Sequence, residues 1–150
     1  MKITYNTAKI EDIEAIYQLN KQLICTYEKA ENIDLDKVLT WIKKKIEKCI
    51  EEYTVIYADE KKAGYYHFYK NEDQEYELDD LYIFSEFQNR GIGSHVINDC
   101  CLSVEEPVML YVFMENKRAV SLYEKLGFEI VGTIKDSRYI MRRKKKWIGN

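Results

Sequence analysis

The stretch Gln88–Ser94, QNRGIGS, places two of the chain's six glycines one residue apart, after an apolar run and before a helical pattern. Glycine weakens regular structure and is kept where backbone must bend or approach something closely. A strand feeding such a turn, with a helix leaving it, is an α/β arrangement. The amides of the turn face open space with the positive end of the helix dipole behind them, which makes the turn a seat for phosphate.

The rest of the chain fits around that unit. Residues 2–5 read as a strand. Ile13, Ile16, Tyr17, Leu23, Ile24 and Tyr27 repeat at helical spacing, with Asn20 interrupting the stripe as a polar group at the helix edge. After a polar connection, Val38, Ile42, Ile46, Cys49 and Ile50 mark a second helix. Residues 53–58 and 64–69 read as a hairpin, and 76–84 as a third strand of the meander. Beyond the glycine turn the pattern predicts a helix over 91–101 with Ile92, Val96, Ile97 and Cys100 on one side. A strand over 108–113 and a helix over 117–126 follow, with Gly127 as its C-cap. Strands over 128–134 and 138–141 close the chain. The order β-α-α-β-β-β-α-β-α-β-β predicts an α/β (α+β) domain spanning 1–150, with a mixed sheet of seven strands and four helices.

Composition narrows the function. The 46% hydrophobic and 13% aromatic content is that of a globular chain, and the net charge of −3 argues against a nucleic-acid binder. The basic run Arg142–Lys146 reads as a solvated end to the last strand. No segment resembles a signal peptide or a membrane span. Cys25, Cys49, Cys100 and Cys101 form no C-x-x-C pair, and His67 and His95 lack partners at zinc spacing. We therefore expect reduced thiols, no metal, no membrane partner and a cytoplasmic protein.

Within Glu77-Leu78-Asp79-Asp80-Leu81-Tyr82-Ile83 the apolar phase slips by one residue, because Leu78 is out of step with Leu81 and Ile83. A β-bulge produces such a slip and leaves main-chain groups unpaired. A ligand lying along this strand, beside the phosphate seat, would use them.

Gln88-Asn89-Arg90-Gly91-Ile92-Gly93 resembles the Q/R-x-x-G-x-G/A signature of the GNAT N-acetyltransferase superfamily. Asn116-x-x-Ala119-x-x-x-Tyr123-x-x-x-Gly127-Phe128 is similar to that family's second motif, at the expected distance. The resemblance implies a cosubstrate, acetyl-CoA. The amides of Arg90, Gly91, Ile92, Gly93 and Ser94 would cradle the pyrophosphate, with Gln88 and Asn89 in the same turn and Arg90 adding charge. Main-chain groups of Leu81, Tyr82 and Ile83 would pair with the pantetheine arm, and an amide at the bulge would polarise the thioester carbonyl. Asn116 would bind the pantetheine region, and Tyr123 would protonate the leaving thiolate. Asn116 also suits a helix cap, and Tyr123 also suits a core position.

Direct transfer to an amine needs a base. Glu77, four residues before Leu81, stands where several relatives carry a catalytic glutamate, and Glu-Leu-x-x-Leu-Tyr is similar to a string in some aminoglycoside acetyltransferases. Asp79 is the second candidate. The alternative is that Glu77, Asp79 and Asp80 belong to a solvated acidic strip with Glu72, Asp73 and Glu75, which attracts cationic amines. The implied activity is N-acetylation of a primary amine by a monomer or homodimer. A non-catalytic acyl-CoA-binding module on the same fold is the second possibility.

Overall fold

A computed structural model describes residues 1–29, 31 and 33–144. The strands are β1 (Ile3–Thr7), β2 (Tyr53–Ala58), β3 (Lys61–Lys70), β4 (Tyr76–Ile83), β5 (Val108–Phe113), β6 (Glu129–Ile134) and β7 (Arg138–Arg143). The helices are α1 (Ile13–Tyr27), α2 (Leu35–Cys49), α3 (Ile92–Leu102) and α4 (Lys117–Lys125). All seven strands form one sheet in the order β1-β2-β3-β4-β5-β7-β6. The chain divides into two compact units, Met1–His67 with Asp80–Phe84, and Phe68–Asp79 with Ser85–Asn150.

In the first unit, β1, β2 and β3 pair antiparallel. The turn between β2 and β3 uses Asp59 and Glu60 at positive φ (49° and 72°). Left-handed backbone at both central residues suits a tight hairpin, so β3 starts at Lys61, earlier than the sequence pattern indicates. Asp34 caps α2 by accepting from the Lys37 amide at 3.3 Å. Leu39, Ile42 and Ile46 then bury one face of α2, and Ile16 and Ile24 bury one face of α1, which packs on it. Each such side chain contributes about 2 kcal/mol on burial.

Asn20 corrects the sequence reading. It is buried within the stripe of α1, not at its edge, and its amide donates to the Ile16 carbonyl at 3.2 Å. That bond lets a polar side chain occupy an apolar position. Buried Asp12 ties the start of α1 to β3. One carboxylate oxygen accepts from the Lys9 amide (2.9 Å), the other from Lys62 Nζ (2.9 Å) and the Tyr65 hydroxyl (3.1 Å). Burial alone would raise its pKa, but these donors together hold it below the usual carboxylate value.

In the second unit, β4 runs parallel to β5 through the pairs Tyr76↔Val108 and Glu77↔Met109, and β7 pairs antiparallel with β5 and β6. All four residues expected on the inner side of α3, Ile92, Val96, Ile97 and Cys100, are buried. The basic run near the C-terminus needs correcting too. Arg142 pairs with Glu75 through two bonds of 3.1 Å, and Arg143 is buried and donates to Asn98 Oδ1 at 3.1 Å. These two arginines serve packing in β7; Lys145 and Lys146 lie outside the described residues.

Candidate active site

The phosphate-seat sequence forms in the second unit. A short 3₁₀ turn at Ser85–Phe87 follows β4, and buried Phe87 and Ile92 anchor the loop on either side. Gln88, Asn89, Arg90 and Gly91 are exposed between those anchors. Asn89 and Gly91 both take positive φ (64° and 79°), and Gly91 is the N-cap of α3. No side chain caps this helix, and its first turn carries no carboxylate. The opening amides at Ile92, Gly93 and Ser94 therefore keep their donors and the dipole for something else.

The two glycines have different reasons. Gly91 needs its left-handed backbone, although a Cβ there would meet nothing within 4 Å. Gly93 lies within helical backbone, and a Cβ there would meet only Leu122 Cδ2 at 3.7 Å, an ordinary contact. Alanine would suit position 93 better by about 1 kcal/mol in helix propensity. Neither backbone nor packing asks for glycine there. Arg90 lies over the Phe87 ring at 5.6 Å, and Arg118 donates to Asn89 Oδ1. Arg118 is a second cation at this turn. Sequence reading missed it, although it stands inside the Asn116–Phe128 motif.

That motif builds the other part of the site. Asn116 Oδ1 accepts from the Ala119 amide at 3.3 Å and caps α4. Four residues after the cap's partner comes Tyr123. The helix ends in a Schellman arrangement: Gly127 has φ 92°, its amide bonds the Glu124 carbonyl, and the Phe128 amide bonds the Tyr123 carbonyl at 3.0 Å. Buried Phe128 meets the Tyr123 ring edge-on at 5.6 Å. Gly-Phe after the helix thus fixes the turn that carries Tyr123. The tyrosine is partly exposed, and no residue of α4 is buried. Desolvation first, then the charges of Asp79 and Cys100, push its phenol above the ordinary value, so it holds its proton at neutral pH.

Asp79 and Tyr123 are therefore brought within electrostatic reach of each other. Glu77 is placed differently. It is buried on β4, and its Oε1 accepts from Asn71 Nδ2 at 3.1 Å. In the first unit, Leu81, Tyr82 and Ile83 follow Asp80, whose φ of 51° marks the point where the apolar phase slips. Asp80 accepts from the Tyr53 hydroxyl. The solvated acidic strip is thus overturned at three positions: Glu77 is buried, Asp80 is bonded to a buried tyrosine, and Glu75 is paired with Arg142.

The family model for the acetyltransferase (GNAT) family matches residues 13–128. The chain belongs to that family. Its fold is shared with solved structures at low identity. One is the PaiA N-acetyltransferase of Thermoplasma acidophilum in complex with coenzyme A, at 20% identity and TM-score 0.70 over 96% of this chain and 99% of that one. An N-acetyltransferase of Staphylococcus aureus matches at 19% and 0.71, over 93% and 98%. The spermidine N-acetyltransferase of Vibrio cholerae, in complex with CoA and spermine, matches at 20% and 0.69, over 99% and 98%. As a GNAT domain the chain carries the family's mixed α/β sheet. Among its described residues no helix is long and apolar enough to cross a membrane, and no group of three or more metal-ligating side chains occurs.

Proposed function

We propose that this GNAT chain is one domain over 1–150 that transfers the acetyl group of acetyl-CoA directly to a primary amine. The observation that carries the reading is Gly93, a glycine that the protein's own packing and backbone do not require, at an uncapped helix N-terminus flanked by Arg90 and Arg118. Pyrophosphate approaching the amides of residues 90–94 supplies the missing reason. Gln88 and Asn89 shape the turn. Main-chain groups of Leu81, Tyr82 and Ile83 take the pantetheine arm as an added strand. Asn116 spends Oδ1 on its helix, which leaves Nδ2 for the same arm.

Acetyl-CoA supplies an activated acyl group and a thiolate leaving group. The amine nitrogen attacks the thioester carbon, the C–N bond forms as the C–S bond breaks, and Tyr123 gives its proton to the departing sulfur. The tyrosine's raised pKa keeps that proton in place until then. A carboxylate takes the proton that the amine loses, and Glu77 and Asp79 are the candidates. A small cationic amine and a peptide amine both satisfy this chemistry. The spermidine enzyme above acts on the first kind.

Two outcomes follow. Millimolar coenzyme A should raise the melting temperature of the parent by mass action, and Gly93→Val should abolish that rise while the apo protein stays folded. An unchanged shift in the variant removes the phosphate from this turn. Glu77→Gln and Asp79→Asn separate the bases: the variant lacking the true base should lose rate most steeply below the pKa of the amine, where the acceptor is an ammonium. Equal pH profiles for both variants and the parent assign that proton to water.

A further inference from the structure

Asp80 is a residue with a Cβ in the middle of a strand, held in left-handed backbone at φ 51°. Aspartate tolerates this region better than most residues, but a strand does not hold it there unaided. The Tyr53 hydroxyl donates to Asp80 Oδ2 at 2.5 Å. Tyr53 itself is only 1% exposed and Asp80 is half-buried, so a buried hydroxyl donates to a carboxylate at the edge of the core, and such charge-assisted bonds are short and strong.

The tyrosine is fixed from its other side. Tyr53 and His67 are cross-strand partners on β2 and β3, with rings stacked at 4.5 Å and 18°. His67 is equally buried, and its Nε2 lies 3.0 Å from Glu52 Oε1. A run of contacts thus reaches from a surface carboxylate, through two stacked buried rings, to the one left-handed residue of β4. Such an investment in buried polar groups is unnecessary for a strand that only fills a sheet, where an apolar pair would serve. It is accounted for if the backbone after Asp80 must be held in one orientation.

We propose that Tyr53 is a positioning residue for acyl transfer: its buried hydroxyl, donating to Asp80, holds the left-handed turn of β4 that sets the Leu81–Ile83 main chain for the acetyl thioester. The inference rests on the acetyltransferase reading above. A single left-handed residue rotates the peptide that follows it out of the strand's alternation, as in a bulge. Oxyanion donors work only when held in place before the reaction. Neither Tyr53 nor Asp80 then needs to touch the reacting atoms.

Tyr53→Phe keeps the ring, its stack on His67 and the buried volume, and removes only the donor. With acetyl-CoA and the best acceptor of a panel containing spermidine, lysine and a short peptide, kcat should fall about 10- to 100-fold, a larger factor than any rise in KM for acetyl-CoA. Asp80→Ala should fall similarly, and Asp80→Asn, which retains an accepting oxygen and tolerates left-handed backbone, should recover most of that loss. The Tyr53→Phe/Asp80→Ala double variant should be no slower than the worse single variant, because both remove one interaction. Unchanged kcat in Tyr53→Phe, additive losses in the double variant, or failure of Asp80→Asn to rescue would each overturn the proposal; the last would make Asp80 a base. A second measurement does not depend on turnover. Amide exchange at residues 80–83 should accelerate at least tenfold in Tyr53→Phe, with α3 unaffected, and unaltered exchange there overturns the proposal even in a protein that transfers nothing. A parent with no turnover on the whole panel counts against the acetyltransferase reading instead.

Discussion

Tyr123→Phe is expected to lower kcat for amine acetylation about 10²-fold, with little change in acetyl-CoA affinity. The substitution removes one proton donor and almost no surface. The edge-on contact with Phe128 and the Schellman closure at Gly127 do not involve the hydroxyl, so the helix should keep its stability. The pH profile adds a second check. Desolvation and the Asp79 charge raise the pKa of this phenol. A raised pKa means that the donor form persists through the ordinary phenol range and is lost only above it. The parent should therefore show no alkaline loss of rate from this group between pH 7 and 10. Asp79→Asn removes part of the raising charge and should bring such a loss to lower pH. Equal turnover of parent and Tyr123→Phe on a good acceptor would return the residue to a packing role.

Gly64→Ala is expected to destabilise the first unit strongly. A Cβ at Gly64 would stand 2.0 Å from the Tyr82 carbonyl oxygen, 3.0 Å from the Tyr82 carbonyl carbon and 3.1 Å from Ile83 Cα. All three are backbone atoms, so no rotamer change relieves the clash. Overpacking of this kind costs about 3 kcal/mol or more, against a total stability of about 5–15 kcal/mol. The melting temperature should fall by about 10 °C, or no folded protein should be recovered. Because the atoms displaced belong to Tyr82 and Ile83, any folded remainder should also bind coenzyme A poorly. An alanine variant melting within about 2 °C of the parent would show that β3 and β4 yield at no cost.

Gly64 also shows where sequence reading stopped. Its place within a strand was legible, but the reason for glycine was not, because nothing in the chain tells which backbone will pass within contact distance. The glycine turn was legible because its cause is local: two glycines between a strand pattern and a helix pattern. The same holds for Asn116 and Gly127, whose capping roles depend on residues three or four away. The slip of apolar phase marks an irregularity between Leu78 and Leu81, the stretch that holds left-handed Asp80, without singling out that residue. Its hydroxyl donor, Tyr53, lies 27 residues earlier and is one of 13 tyrosines, so pattern could not single it out. The acidic strip failed for the same reason. A run of like charges does not establish exposure: Asn71, six residues before Glu77, bonds that carboxylate, while Tyr53 and Arg142, remote in sequence, take up Asp80 and Glu75.

The central claim is transfer, and amine-dependent release of the coenzyme A thiol from acetyl-CoA tests it most directly. With a panel of small cationic amines and peptides, at least one acceptor should give saturable thiol release with an equal yield of acetylated amine. Tight binding of acetyl-CoA with no release above the acceptor-free rate, on every amine of the panel, would contradict the account and leave a binding module on the same fold.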